Sequence, residues 1–385
     1  MMSQHFQATQ KQNRIELLDV LRGFSIAGVL IVNILYFSGF FYTPFEDLEK
    51  LSLPKLNTAI IYTMFTALLG KFYPILGILF GAGIYMQFQK SKTPGFLPFY
   101  LKRMFFLLLI GAIHMTFWPG DVVFIYALFS FFMIPFRNSK PIVYLIVAVI
   151  MLLCNFIVLY TQHLWGAPKP QIEYTAYLHL ADYAPKDLID MVKNDGFAGF
   201  VTLVKEHTKV LWTFERYASL SFRAMLIFLV GAYLYGSGFL VEKAHKYKYL
   251  FIFLGLGIAG SLVSHYISWN LKILDNLFLG IAYICLIALL MNKSKKARKA
   301  LLALAPLGRM ALTNYIMQSI IGITIFYGIG FGLYGQIALY QILIIAIIIL
   351  IFQIQFSKYW LKKHDFGPLE WLWRRLSYGK HFKKK

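Results

Sequence analysis

The sequence predicts an all-α membrane protein, a polytopic bundle of about ten transmembrane helices. Of its 385 residues, 59% are hydrophobic and only 14% are charged, whereas soluble domains are about 45–50% apolar. The apolar residues gather into runs that match the roughly 20 helical residues needed to cross a bilayer. Basic residues cluster between these runs. Together, these observations exclude a soluble globular domain.

Ten apolar runs mark the predicted spans. The third and fourth flank Pro119-Gly120 and are short, which predicts a tight helical hairpin. In chain order the runs are Leu17–Phe40, Thr58–Phe88, Met104–Trp118, Val122–Phe136, Pro141–Thr161, Ala218–Leu240, Tyr249–Ser268, Leu274–Met291, Ala311–Gly330 and Gln336–Phe356.

Loop charges predict the orientation of the chain. If the N-terminus is cytoplasmic, most of the 38 Lys and Arg residues fall in inner segments, as the positive-inside rule requires. Both termini are therefore predicted to be cytoplasmic, in a multi-pass protein of the plasma membrane. The net charge of +21 is spread over juxtamembrane clusters, so we assign it to anionic lipid rather than to nucleic acid.

The predicted organisation has five parts. They are a cytoplasmic N-terminus (1–16), a first membrane half (17–161), an extracytoplasmic loop (162–217), a second membrane half (218–357) and a cytoplasmic basic aromatic tail (358–385). After Pro185 the loop has apolar residues at helical spacing, which predicts short amphipathic helices. These either cap the outer mouth of the bundle or lie in the headgroup layer.

The first span carries polar residues on one stripe. Asp19 and Arg22 are one helical step apart, and Asn33 follows about three turns later on the same face. Because lipid offers no hydrogen-bond partner, such a stripe is expected to face other protein or a water-filled cavity.

Polar residues within later spans are further cavity candidates. Lys71 and Pro74 interrupt the second span, which indicates either a packing feature or a broken helix lining a cavity. Arg223 lies inside the sixth span, where a charge needs a carboxylate partner or a cavity. Tyr126 of the fourth span is also a cavity candidate, and His265 is either a cavity residue or an interfacial one.

The start of the ninth span presents two polar edges. Arg309 and Thr313 share one edge, and Asn314 and Gln318 share the other. Hydrogen bonds between helices would explain the Asn and the Gln. Arg309 is expected either to pair with Asp19 or to receive an anionic ligand.

His114 and Asp121 are the candidate catalytic pair. They flank the predicted hairpin turn, whose geometry can bring imidazole and carboxylate together. A His oriented by an Asp is the usual arrangement for taking a proton from a hydroxyl or amine. Alternatively, His114 is an interfacial residue and Asp121 caps the next helix.

Five segments, in the same order along the chain, resemble the YeiB-like family of membrane proteins and together span most of the sequence. They read LDVLRG with an apolar run ending in VN, KFYPILGILFGAGIYMQ, KRMFFLLLIGAIHMTFWPGDVVFIYALFSFFMIPFR, GRMALTNYIMQS and FGPLEWLWRRLSYG. The first segment also resembles the first membrane helix of the lysosomal heparan-α-glucosaminide N-acetyltransferase group.

The resemblance implies a transmembrane acyltransferase-like helical fold. In the lysosomal relatives, the luminal loop after the first span carries the catalytic His. The corresponding stretch here, Ser38–Thr58, contains no His. The YeiB-type pattern does contain His114 and the Gly-Asp turn, so the resemblance raises the weight of His114 and Asp121.

Two classes of function are compatible with these features. The first is an acyltransferase that moves an acyl group from cytoplasmic acyl-CoA to an extracytoplasmic hydroxyl or amine, with His114 as base and Asp121 as its orienter. The second is a transporter, or a lipid- or small-molecule-binding protein, that uses the same cavity without chemistry. The expected donor-binding residues are Arg22, Asn33, Arg309, Asn314 and Gln318.

No tightly bound cofactor is expected, because no grouping of Cys and His has metal-ligand spacing. Acyl-CoA would be a donor substrate rather than a resident group. Membrane lipids are expected partners, and stripes of small residues could support a homodimer.

Overall fold

The computed structural model describes residues 15–42, 53–161, 188–211, 214–266 and 272–379, and every regular element in these ranges is helical. Short 3₁₀ helices occupy Phe40–Tyr42 and Ile134–Phe136, and π-helical turns occupy Met64–Leu68 and Phe239–Lys243. The α-helices are α1 (Glu16–Phe37), α2 (Pro54–Thr63), α3 (Phe72–Phe88), α4 (Phe96–Met115), α5 (Val122–Phe132), α6 (Pro141–Thr161), α7 (Leu188–Asn194), α8 (Gly196–Leu211), α9 (Phe214–Gly236), α10 (Tyr247–Tyr266), α11 (Lys272–Lys293), α12 (Lys295–Leu302), α13 (Ala305–Arg309), α14 (Ala311–Phe326), α15 (Leu339–Lys363) and α16 (Pro368–Tyr378).

The apolar helices coincide with the ten predicted runs. Within the described residues, seven segments are long and apolar enough to cross a membrane: Glu16–Phe37, Lys55–Phe88, Phe96–Met115, Pro141–Val158, Tyr247–Ser264, Lys272–Lys293 and Leu339–Lys363. Three shorter apolar helices are Val122–Phe132, Leu220–Gly236 and Ala311–Phe326. The all-helical class is thus confirmed. The count of ten spans and the orientation of the termini stay predictions.

The second apolar run is a broken helix. α2 continues into the π-helical turn, the chain turns at Gly70, and α3 begins at Phe72. Lys71 lies in the break and is buried, where it interacts electrostatically with Asp275 of α11. Interrupted backbone of this kind is tolerated at membrane depth when surrounding protein satisfies it.

α9 packs closely against α3 and α6. A Cβ atom at Gly81 of α3 would lie 2.1 Å from the carbonyl oxygen of Phe228 in α9. Because a β-carbon cannot approach that closely, glycine at this position allows the two backbones to touch. The spacing of Gly77 and Gly81 therefore serves helix packing.

α1 makes an equally close contact with α13. A Cβ atom at Gly308 would lie 2.0 Å from the carbonyl oxygen of Asp19 and 2.5 Å from the amide nitrogen of Gly23. The segments LDVLRG and GRMALTNYIMQS therefore meet through their glycines, which brings Arg22 and Arg309 to the same end of the bundle.

The C-terminal helix covers this end. The indole Nε1 of Trp373 in α16 donates to the backbone oxygen of Arg103 in α4 at 2.7 Å. We call the end of the bundle that carries Arg22, Arg103, Arg309 and α16 the basic end. Positive-inside counting predicts that it faces the cytoplasm.

Within the predicted extracytoplasmic loop (162–217), residues 188–211 form α7 and α8, and residues 214–217 belong to α9. Phe200 of α8 is buried, and its ring centroid lies 5.8 Å from that of Tyr327, just after α14. This contact favours capping of the bundle over lying in the headgroup layer. Residues 162–187 lie outside the described ranges.

Adding a methyl group at Gly81 should destabilise the protein. Overpacking costs about 1–3 kcal/mol, so Gly81→Ala should melt at a lower temperature than the wild type in detergent. Gly83→Ala on the same helix is the matched control, because a Cβ there meets nothing within 4 Å. It should melt at or above the wild-type temperature, since Ala is favoured over Gly in helices by about 1 kcal/mol. Equal melting temperatures for the two variants would contradict the close contact.

Candidate functional site

A cavity of about 570 Å³ extends from the basic end into the bundle. Apolar side chains of α1, α3 and α4 form much of its wall, and Val122, Tyr126 and Tyr315 lie at its inner end. Its charged lining residues are Asp19, Arg22, Lys90, Arg103, Arg309, Glu370 and Arg374. Basic residues therefore outnumber acidic ones around the cavity.

Both acidic residues already have partners. Asp19 accepts a hydrogen bond from Arg22 at 3.0 Å. One oxygen of Glu370 accepts from the amide nitrogens of Leu312 and Thr313 at 2.7 and 3.1 Å, and the other accepts from the Thr313 hydroxyl at 2.6 Å. Glu370 of α16 thus caps the N-terminus of α14. Arg309 lines the same cavity.

Arg103 is the most enclosed of these cations. It is 8% exposed, and its guanidinium stacks on the ring of Trp373 at 4.0 Å, with the Tyr378 ring 5.9 Å away. Among the described residues, its Nε and Nη1 atoms have no hydrogen-bond partner. Since buried donors without partners are costly, an anion in the cavity would stabilise this arginine.

The α4–α5 hairpin brings His114 and Asp121 into contact. The His114 Nδ1 and Asp121 Oδ1 atoms are 2.7 Å apart, and the side chains are 4% and 0% exposed. A carboxylate only accepts, so Nδ1 carries the proton and donates it. The second Asp121 oxygen accepts from the amide nitrogen of Phe124 at 2.6 Å. Asp121 therefore caps α5 and also holds the imidazole of His114, and the catalytic role of the pair stays a prediction.

The other imidazole nitrogen faces Ser319 of α14. His114 Nε2 and Ser319 Oγ are 2.9 Å apart, and Ser319 is 1% exposed. In a neutral imidazole with Nδ1 protonated, Nε2 is an acceptor, and the Ser319 hydroxyl donates a hydrogen bond to it. Asp121, His114 and Ser319 thus form a buried hydrogen-bonded chain, which we call the polar chain.

Tyr315 separates the polar chain from the cavity. Its ring lies at a steep angle to His114, with centroids 5.2 Å apart, and its hydroxyl accepts from the amide nitrogen of Val122 at 3.2 Å. Tyr315 lines the cavity, whereas the three members of the polar chain do not. Arg103 and His114 are eleven residues apart on α4, or about 16 Å along its axis.

Sequence reasoning did not identify Ser319 or Arg103. Ser319 ends the segment GRMALTNYIMQS and lies one turn after Tyr315, and this spacing was the available signal. Arg103 directly precedes the predicted third span, Met104–Trp118, but it lies inside α4. Arg374 belongs to the predicted basic aromatic tail (358–385), and it lines the cavity.

Asn314 and Gln318 join helices rather than line the cavity. Asn314 Nδ2 donates to the hydroxyl of Ser357 in α15 at 2.9 Å. Gln318 Nε2 donates to Gln353 Oε1, also in α15, at 3.0 Å, and to the backbone oxygen of Ile26 in α1 at 3.2 Å. These contacts match the predicted hydrogen bonds between helices, so Asn314 and Gln318 are not among the residues that we propose bind the donor.

The remaining predicted residues are more dispersed. Tyr126 lines the cavity, whereas Asn33, Lys71 and Arg223 do not. Arg223 is half-buried and interacts electrostatically with Tyr73. His265 belongs to α10, and its side chain is outside the described residues. The described residues contain no group of three or more His, Cys, Asp or Glu that could hold a metal ion.

Removing the carboxylate of Glu370 should destabilise the protein. Glu370→Ala takes away the acceptor for two amide groups and one hydroxyl, and loss of a cap costs about 0.5–2 kcal/mol. Glu370→Gln keeps one acceptor oxygen and should lose less. Melting in detergent measures both, and a Glu370→Ala variant that melts like the wild type would contradict the capping role.

The same carboxyl should make stability depend on pH. Burial raises the pKa of Glu370, and the hydrogen bonds to Thr313 and Leu312 partly offset this. The folded state therefore holds the proton more tightly than the unfolded state, whose pKa is about 4.3. Relative to Glu370→Gln, the wild type should lose stability as the pH rises from below that value through the raised folded-state pKa. A wild-type melting temperature that rises relative to that of Glu370→Gln as the pH increases would contradict this prediction.

Comparison with known proteins gives a family match and full-length relatives. Residues 234–380 match the family model described as "Protein of unknown function (DUF418)". The chain is 30% identical to the uncharacterized protein YxaH of Bacillus subtilis (strain 168), over 97% of this chain and 96% of the relative. It is 27% identical to the uncharacterized protein YeiB of Escherichia coli (strain K12), over 94% of this chain and 95% of the relative.

A third relative is an uncharacterized 39.9 kDa protein in the amylase 3' region of Bacillus acidopullulyticus, which is 29% identical over 96% of this chain and 95% of its own. No solved structure matches the chain.

Proposed function

Because the chain belongs to the YeiB-like family, whose sequence pattern includes the His114 hairpin, we propose that it is a membrane-embedded acyltransferase. It takes an acyl group from cytoplasmic acyl-CoA and delivers it to a hydroxyl or amine on the other side of the membrane. The observation that carries this proposal is a buried His–Asp pair beside the inner end of an arginine-lined cavity.

His114 is the general base in this proposal. Asp121 accepts a hydrogen bond from the Nδ1–H group, so the proton stays on Nδ1 and Nε2 keeps the lone pair that takes a proton from the attacking hydroxyl or amine. The negative carboxylate also stabilises the imidazolium that forms during the transfer. Because Asp121 caps α5 as well, its position is set by the helix backbone.

The basic end would hold the anionic part of the donor. The forked guanidinium group of arginine donates paired hydrogen bonds to phosphate groups. The cavity is lined by four arginines, Arg22, Arg103, Arg309 and Arg374. Arg103 contributes buried donors that have no hydrogen-bond partner among the described residues. The apolar walls between these arginines and Tyr315 suit the acyl-bearing arm.

A transporter or lipid-binding protein would use the same cavity without breaking a bond. His114 and Asp121 would then serve as a proton or substrate site. The two functions differ in one product, because only the enzyme releases free CoA thiol.

His114 and Asp121 should control the rate of transfer. Purified protein given acyl-CoA donors of several chain lengths, with hydroxyl and amine acceptors, should release thiol. His114→Ala should slow this release by about 10²–10⁴-fold. Asp121→Asn should slow it comparably while melting near the wild-type temperature, because Asn also caps helices well.

The control for these variants is His364→Ala. His364 follows α15 and stacks on Trp360 with centroids 4.2 Å apart, away from the polar chain, so its rate should equal that of the wild type. Saturable uptake into vesicles by a wild type that releases no thiol would favour the transporter instead.

Arg103 should determine donor affinity more than turnover. Arg103→Ala should raise the KM for acyl-CoA about tenfold or more with a smaller change in kcat, since it contacts a non-reacting part of the donor. Arg103→Lys keeps the charge but loses the fork, so its KM should be intermediate. Arg298→Ala is the control, because Arg298 pairs with Glu16 at 2.6 Å in an exposed contact. An unchanged KM in Arg103→Ala would contradict the donor site.

A further inference from the structure

We propose that Ser319 carries the acyl group as a covalent ester between donor and acceptor. This inference rests on the acyltransferase function proposed above and deepens it. It starts from the polar chain, in which Ser319, His114 and Asp121 occupy the positions of nucleophile, base and orienter.

The distances fit those roles. Ser319 Oγ is 2.9 Å from His114 Nε2, and His114 Nδ1 is 2.7 Å from Asp121 Oδ1. A nucleophile and its base lie about 2.6–3.2 Å apart. Serine–histidine–carboxylate sets are recognised by this geometry and not by their order in the sequence.

The hydroxyl of Ser319 differs from those of most other buried serines in the bundle; among the others, Ser357 instead accepts a hydrogen bond from Asn314. A serine in an apolar helix usually donates to a carbonyl oxygen of its own preceding turn. Ser25, Ser130 and Ser377 do this at 2.8, 2.6 and 2.6 Å. In the described structure Ser319 makes no such bond and is paired with a base that lies 205 positions away. Its proton is therefore directed at a group able to remove it.

The location of Ser319 suits a relay. Tyr315 forms the inner wall of the cavity, and Ser319 follows four residues later on α14, about 6 Å further from the basic end. Rotation of the Tyr315 ring would open the cavity to Ser319. The anionic part of the donor then stays at the basic end while its acyl group reaches Ser319 beyond the cavity. After the transfer to Ser319, free CoA leaves before the acceptor arrives.

The chemistry balances in two steps. In the first, His114 Nε2 takes the proton of Ser319 as Oγ attacks the thioester carbonyl. The C–S bond breaks, and the thiolate takes the proton from Nε2 and leaves as free CoA thiol. In the second, the acceptor gives its proton to Nε2 and attacks the serine ester. The C–Oγ bond breaks, and Oγ recovers the proton, which leaves His114 neutral and the acceptor acylated.

The test uses the full-length protein in detergent with acyl-CoA and no acceptor. The wild type should release about one thiol per protein in a burst, and the peptide containing Ser319 should gain the mass of the acyl group. Ser319→Ala should do neither, and with acceptor present its turnover should fall at least about 100-fold. Ser130→Ala, which also removes a buried helical hydroxyl, should behave like the wild type.

A second variant keeps the test decisive if Ser319→Ala melts or aggregates. Ser319→Cys retains a nucleophile at the same place and should trap the acyl group as a thioester that neutral hydroxylamine cleaves. Acylation of the wild type at any other residue would overturn the relay.

Two further outcomes separate the relay from the function on which it rests. If Ser319→Ala turns over within about threefold of the wild type, or if the wild type transfers acyl groups without an acylated Ser319, the relay is wrong and the acyltransferase stands. If the wild type releases no thiol with any donor, with or without acceptor, both proposals fail.

Discussion

Polar groups buried among apolar helices must be paired within the protein, because lipid and a dry core supply no partner. α14 meets this constraint on several sides at once. Its interhelical pairs are Thr313 with Glu370, Asn314 with Ser357, Gln318 with Gln353 and Ser319 with His114. Together they set the rotation of α14 about its axis. Tyr315, which lies between them, consequently faces the cavity and His114 at the same time.

The two ends of the cavity are built by different contacts. At the basic end, the glycine contact of α1 with α13 brings Arg22 and Arg309 together, and stacking on Trp373 holds Arg103 in the wall. At the inner end, the α4–α5 hairpin and α14 hold the polar chain. A positively charged mouth therefore lies at one end of a largely apolar cavity, and Tyr315 at the other end stands between the cavity and His114.

Features that depend on nearby residues could be predicted from the sequence. Run length predicted the helices, and the pairing of His114 with Asp121 follows from a helical hairpin in which the two residues are only seven positions apart. Ser319 could not be found in this way, because the contact of α14 with α4 joins residues 205 positions apart. By its sequence position, Arg103 resembles the basic residues that set membrane orientation. Its packing against Trp373 of α16 depends on a long-range contact that the sequence does not reveal. For Asn314 and Gln318, helical spacing shows a shared edge but not whether that edge meets a helix or a ligand.

The central claim is that acyl transfer links the basic end of the bundle to the opposite side of the membrane. The most direct test is sidedness in sealed proteoliposomes with the protein in one known orientation. Acyl-CoA supplied at the face that carries α16 should release thiol there and acylate an acceptor confined to the other face, and acyl-CoA supplied at the other face should not react. Thiol release from neither face, or acyl-CoA uptake without thiol release, would contradict the account.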